Sequence, residues 1–265
     1  MYATNYHRAS SVAEAVKLQS SSDEAKYVSG GMTLIPTMKQ RLAAPSDLVD
    51  LRHIADLKGI SVNGGRVRIG AGTTHYEVST SAELKAVCPA ICQLASHIGD
   101  PHVRHMGTIG GSIANNDPAA DYPSAMLALG ATIVTNAREI PADDFFTGLF
   151  ETALEDGEIV VAVTFDAPAR AAYSKFPNPA SRYAMAGVFV AKAGDGGVRV
   201  AVTGAGSNGV FRHAGLEAAL SANWSPDAAA SMTVDAGELL SDIHGSAEYR
   251  ANLVKVMAKR AVAAA

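Results

Sequence analysis

Two glycine pairs carry the residue types and spacing in this 265-residue chain that best suit ligand chemistry. The first is Ser29-Gly30-Gly31-Met32-Thr33, running on into Leu34 and Ile35. Adjacent glycines adopt positive φ without steric penalty and can turn successive N–H groups into one concavity. At a helix N-terminus that nest suits a phosphate or pyrophosphate, although a tight turn with nothing bound uses the same residues. The second pair lies in Thr108-Ile109-Gly110-Gly111-Ser112, with the amides of Asn115 and Asn116 just beyond. Its flanking hydroxyls can donate to phosphate. Asp121 falls one turn into the helix expected next, where a carboxylate either accepts from sugar hydroxyls or complements the helix dipole. Two nests suit a dinucleotide. Spacing alone does not choose among phosphorylated ligands.

A third glycine group, Gly204-Ala-Gly206-Ser-Asn-Gly209, has the G-x-G-x-x-G form and comes after the apolar run Val198–Thr203. A nicotinamide-binding Rossmann unit needs a further parallel strand and an acidic residue about 20 positions on. The residues beyond Arg212 read mostly as helix, and the preceding hairpin implies an antiparallel sheet, so a turn is the better reading. His97, His102 and His105 cluster at and just before an expected loop but match neither H-E-x-x-H nor zinc-finger spacing. Ser112 lacks the G-x-S-x-G context of a nucleophile elbow. No catalytic constellation and no metal site are read.

Positioning these turns requires two α/β pieces and a third unit. Ser11 and Glu14 have the spacing of a capping box opening a first helix. A strand at Ala25–Val28 enters the first glycine pair, a helix spans Met32–Leu42, and a strand covers Asp47–Leu51. Beyond it, Ile60, Val62, Val67 and Ile69 alternate around Asn63-Gly64, a hairpin signal. Helices are expected at His75–Val87 and Pro89–Ile98, then a Gly- and Pro-rich loop from Gly99 to Pro118. Asp117-Pro118 should start a helix running to Leu129. Further strands are expected at Ala131–Thr135 and Glu158–Phe165. The segment Asp166–Ala172 reads as a linker. Strands at Tyr183–Ala193 and Val198–Thr203, then helices near Arg212–Leu220, Pro226–Leu240 and Ala247–Val262, describe an antiparallel sheet with helices on one face. The expected class is α+β, divided at 1–55, 56–168 and 169–265.

Composition narrows the function. With 22 basic against 26 acidic residues the net charge is −4, giving no footprint for nucleic acid or an anionic membrane. Only two cysteines are present, Cys88 and Cys92. They read as small buried thiols and are too few for an iron–sulfur cluster. The N-terminus lacks an apolar signal region and no apolar run is long enough for a membrane span, so a cytoplasmic protein is expected.

Ordered along the chain, these motifs resemble the FAD-binding medium subunits of the xanthine oxidase and carbon monoxide dehydrogenase family of molybdenum hydroxylases. The resemblance rests on Ser29–Pro36, Ile69–His75, Ile98–Arg104, Gly107–Asp121, Asp156–Ile159, Ser181–Ala184 and Tyr249–Val256. Ser29 stands where alanine is commoner in that family, and Met32 where a small or polar residue is frequent; both leave the glycine pair intact.

The resemblance implies FAD held between two N-terminal α/β subdomains of the PCMH-like kind. Val28 to Ile35 and Thr108 to Ser112 would embrace the pyrophosphate, and Asp121 would contact the cofactor's hydroxyls. Ile98, Val103 and Val160 would lie near the adenine or flavin, with Lys175 near the flavin. It also implies partners: a large subunit with the molybdenum cofactor, and a small one with two [2Fe–2S] clusters. Electrons would pass from those clusters through FAD to an external acceptor, in a dimer of heterotrimers.

Overall fold

The computed structural model describes residues 1–265 and contains three main β-sheets. In the first segment come β1 (Asn5–Arg8), α1 (Val12–Gln19), β2 (Lys26–Val28), α2 (Leu34–Lys39) and β3 (Asp47–Asp50). The strands form a parallel sheet in the order β1-β3-β2, and β1 is a strand that the sequence pattern did not predict. Ser11 caps α1 by accepting from the Glu14 N–H, but the Glu14 carboxylate reaches Ser10 instead of closing the box. The reciprocal box forms instead at Thr74 and Glu77.

The second segment runs β4 (Ile60–Asn63), β5 (Arg66–Gly70), α3 (His75–Thr80), α4 (Ala82–Val87), α5 (Pro89–Ser96), α6 (Pro101–Met106), α7 (Ile109–Asn115) and α8 (Tyr122–Ala128). It continues through β6 (Thr132–Thr135), β7 (Glu139–Pro141), α9 (Ala142–Phe145), β8 (Phe146–Gly148), β9 (Glu151–Thr152) and β10 (Val160–Asp166). The main sheet here is antiparallel, ordered β4-β5-β10-β6-β7. Gly64 and Gly65 both take positive φ at the β4–β5 hairpin, as the Asn-Gly signal requires.

Three expectations fail in this segment. The helix predicted over His75–Val87 breaks at Ser81, whose hydroxyl caps α4. Residues 99–118 are not one loop: Asp100 caps α6 with Pro101 in its first turn, and Thr108 caps α7 by accepting from the Gly111 N–H. Asp117-Pro118 does not open a helix either. Its carboxylate closes a local turn onto the Ala119 N–H, and α8 begins only at Tyr122.

The last segment contains β11 (Arg170–Pro177), β12 (Ala184–Lys192), β13 (Val198–Thr203), β14 (Phe211–Arg212), α10 (Ala214–Ala222), α11 (Pro226–Ser231) and α12 (Ala247–Ala264). Part of the expected linker is therefore strand β11, and the helix predicted to Leu240 stops at Ser231. The four strands are antiparallel in sequence order. Their outer side packs on α10–α12 through Val188, Val190, Val200 and Val202. Their inner side, with Tyr173, Phe189 and Ala201, joins the core of the second segment. Burial of both faces explains why β12 reads as an almost unbroken apolar run instead of an alternating one.

Candidate functional site

The three sheets enclose one large cavity of about 900 Å³, toward the upper end of the roughly 300–1,000 Å³ common for small-molecule sites. One wall is the Val28–Leu34 turn, another the Gly107–Asn115 turn, and the third comes from Lys175 and Ser181–Tyr183.

The β2–α2 turn is an open nest. Gly31 has φ of 69°, and none of the N–H groups from Ser29 to Thr33 donates to another protein atom. Unpaired amides on residues that line a cavity have the capacity to hold an anion. Gly30 serves a different purpose. A Cβ built on it would stand 2.2 Å from Met106 O and 2.7 Å from Gly107 Cα, so its bare backbone lets the two turns touch. The Ser29 and Thr108 hydroxyls complete the contact at 3.0 Å.

The second glycine pair is not a second nest, contrary to the expectation from sequence. Gly110 and Gly111 are helical, and their N–H groups bond Ala71 O and Thr108 Oγ1. Ile109 and Ser112 also donate within the protein. Gly110 is needed for packing, because a Cβ there would lie 2.5 Å from the Ala71 Cβ. Gly111 faces outward, its missing Cβ within 4 Å of only Thr108 Oγ1. Together with the Ser112 and Asn115 side chains, it supplies room and polar groups on this wall.

Asp121 departs furthest from its predicted setting. It is 5% exposed, makes no cap bond, and places its carboxylate against the third sheet. Lys175 Nζ donates to Oδ2 at 2.9 Å, and the Tyr173 hydroxyl donates to Oδ1. Burial pushes the Asp121 carboxyl upward, while Lys175 and Tyr173 pull against that rise. Lys175 also donates to His97 O at 3.3 Å, so two of its three N–H donors have protein acceptors.

Ile98, Val103 and Val160 line the cavity with the turns, supplying apolar surface suited to an aromatic ring. Two residues of the predicted set do not reach it. Ile109 is fully buried in the core, and Ile35 lies beneath the first turn beside Met38 and Leu48. Several lining residues were not singled out from sequence, among them Ala71, Gly72, His75, Leu154 and Tyr183. His75 and Tyr183 lie in matched stretches, which was their available signal. His75 is 4% exposed, and burial, with Arg104 nearby, pushes its pKa down to about 4, so the imidazole is neutral at pH 7. Its Nδ1 has no partner.

The remaining sequence candidates lie apart from this arrangement or are bound locally. His97 ends α5, while His102 and His105 sit on α6 instead of a loop, with His105 stacked on Tyr76 at 4.1 Å. Cys88 and Cys92 are free thiols in the main core. The Gly204–Gly209 turn joins antiparallel β13 to β14, a geometry that does not favour the nicotinamide reading. Alanine at Gly206 would place its Cβ 2.3 Å from Gly209 O, so this glycine is a packing requirement.

A parallel α/β piece and an antiparallel second unit, joined around a nest-bearing cavity, define a cofactor-binding protein of dinucleotide size. Residues 2–168 match the family described as the FAD binding domain in molybdopterin dehydrogenase, and the chain belongs to that family. It is 38% identical to the carbon monoxide dehydrogenase medium chain of Afipia carboxidovorans, over 97% of this chain and 95% of that one. Identity to the nicotine 6-hydroxylase medium subunit of Paenarthrobacter nicotinovorans is 33%, over 98% and 96% of the two chains. Carbon monoxide dehydrogenase from Hydrogenophaga pseudoflava superposes with a TM-score of 0.87 at 34% identity, covering 100% of this chain and 97% of that one. For quinoline 2-oxidoreductase from Pseudomonas putida the TM-score is 0.88 at 29% identity, with the same coverage. The chain is thus a FAD-binding medium subunit of the molybdenum hydroxylase type, part of an oxidoreductase. No helix is long and apolar enough to cross a membrane.

Proposed function

We propose that this chain is the electron-transferring flavoprotein subunit of a heterotrimeric molybdenum hydroxylase. The observation that carries this is the run of unpaired N–H groups from Ser29 to Thr33, on residues that line a large cavity, in a chain of this family. The residues fit FAD: an open anion nest, an uncluttered Gly111 wall, apolar positions for rings, and a buried lysine with a donor to spare. Ser29 to Leu34 would hold the pyrophosphate. Thr108, Gly111, Ser112, Asn115 and Asp121 would line the linker, with Lys175, Ile98, Val103 and Val160 around the rings.

The redox chemistry is what FAD supplies when bound: electrons are accepted from the [2Fe–2S] clusters of a small partner subunit and released to an external acceptor. This chain's own residues bind, orient and exclude water. The substrate is oxidised at the molybdenum cofactor of a large partner subunit. We assign residues 1–55 and 56–168 to FAD binding, 169–265 to closing the third wall, the assembly to a dimer of heterotrimers, and its location to the cytoplasm.

Co-purification with both partners tests the reading. The chain should carry stoichiometric flavin, and anaerobic substrate should bleach the flavin band only when both partners are present. A chain without flavin that fails to quench added FAD fluorescence removes the site assignment. Bleaching by an organic substrate without partners removes the subunit assignment.

A further inference from the structure

Tyr173 lies outside the cavity, 2% exposed in the inner face of the third sheet, yet its hydroxyl ends on a cavity-lining carboxylate. Strand geometry explains the arrangement. Residues two apart share a face, so Tyr173 and Lys175 point together from β11 toward Asp121 at the start of α8. One takes Oδ1 and the other Oδ2. Gly187, directly opposite Lys175 on β12, leaves the space the phenol needs: a Cβ there would stand 2.3 Å from the Tyr173 oxygen.

We propose that Tyr173 is a positioning residue for FAD: it fixes Asp121, and through Asp121 the Lys175 ammonium, so that full cofactor affinity requires the third sheet to be docked. The proposal rests on the reading of the cavity as a FAD site. Lys175 has its ammonium held by Asp121 Oδ2 and His97 O, which leaves one N–H donor for the cavity. Without the tyrosine hydroxyl, the buried carboxylate loses its second anchor and can swing with the lysine. The carboxylate thus belongs to α8 and the groups that aim it belong to β11, which makes the joint between segments part of the binding site.

A double-mutant cycle on the full chain tests this by FAD fluorescence quenching, using Tyr173→Phe, Asp121→Asn and the pair. Tyr173→Phe should raise the FAD dissociation constant roughly tenfold, the scale of one charge-assisted hydrogen bond. It should alter the visible circular dichroism of the bound flavin. In the Asp121→Asn background the same change should have almost no effect. Gly187→Ala, which displaces the phenol, should shift affinity in the same direction as Tyr173→Phe. Equal losses from Tyr173→Phe in both backgrounds, or no loss in either, overturn the proposal while leaving the FAD site standing. A wild-type chain that binds no FAD overturns both.

Discussion

The two glycine pairs look alike in sequence and perform different work. In each, the first glycine is a joint: Gly30 meets the Met106–Gly107 backbone, and Gly110 meets Ala71. The second members diverge. Gly31 takes positive φ within a run of unpaired amides, whereas Gly111 sits in helix α7 with its N–H bonded to Thr108. The difference arises from what precedes each pair: Thr108 stands two residues ahead of Gly110, and Ser29 directly ahead of Gly30. Thr108 is a strong N-cap and draws its glycines into a helix, while Ser29 comes directly after strand β2 and caps nothing. A glycine pair therefore signals close approach more reliably than it signals an anion nest.

The largest effect should come from breaking the joint. Gly30→Ala forces a Cβ into backbone atoms of the other turn, which cannot move without separating the two segments. We expect unfolding free energy to fall by about 3 kcal/mol, the upper part of the usual overpacking range. Urea denaturation of the flavin-free chain checks it. An unchanged midpoint would mean the turns are not in contact.

Next in size is a change that should spare the fold. Gly111 is helical, so valine there meets no φ penalty and is a better helix former than glycine. Its side chain would project toward the cavity, where the missing Cβ now has only Thr108 Oγ1 nearby. FAD affinity should fall at least tenfold, about 1.4 kcal/mol or more, with little change in apo stability. A Gly111→Val chain that keeps stoichiometric flavin would place the ligand away from this wall.

Those two outcomes also bear on how far the sequence could be read. Ser29–Thr33 was legible because a strand, two glycines and a helix succeed one another within a short stretch. The hairpin at Asn63-Gly64 was legible for the same local reason. Asp121 was legible, but in the wrong environment: Asp117-Pro118 resembles a helix start, yet Asp117 closes a local turn, the helix begins later, and the carboxylate of Asp121 meets β11. Tyr173 was not. Its partner lies 52 residues away, and the strand carrying it looks like a linker because Ala171 and Ala172 are small. The Ser29–Thr33 turn and the Asn63-Gly64 hairpin are set by neighbouring residues and were visible, although the equally local caps at Ser81, Asp100 and Thr108 were missed; the contact set by docking β11 on Asp121 was not visible.

A smaller loss should result from removing the cap that makes the turns differ. Thr108→Val keeps the shape but leaves the Gly111 N–H without its acceptor. The cost should be about 1 kcal/mol of stability, typical of a lost N-cap. It should appear in the melting temperature of the flavin-free chain. If the chain melts unchanged while flavin is lost, Thr108 acts on the ligand and not on α7.

Ser29→Ala should have the smallest effect, although it removes a hydrogen bond between the two turns. The Ser29 and Thr108 hydroxyls lie 3.0 Å apart in a partly buried setting. Removing one partner is costly when the other is left buried and unsatisfied. Here Thr108 Oγ1 still accepts from the Gly111 N–H, so it is not orphaned. The expected loss is thus near 0.5 kcal/mol, roughly the low end for a neutral hydrogen bond. The backbone amides of the nest are untouched, so FAD affinity should hold within about twofold, under about 0.5 kcal/mol. Combining Ser29→Ala with Thr108→Val separates the roles. If the hydroxyl pair only ties the turns, the serine change should cost nothing further once the threonine hydroxyl is gone. A tenfold fall in affinity from Ser29→Ala alone, about 1.4 kcal/mol, would instead make its hydroxyl a direct ligand contact, and the nest would then hold its anion through a side chain as well as through its amides.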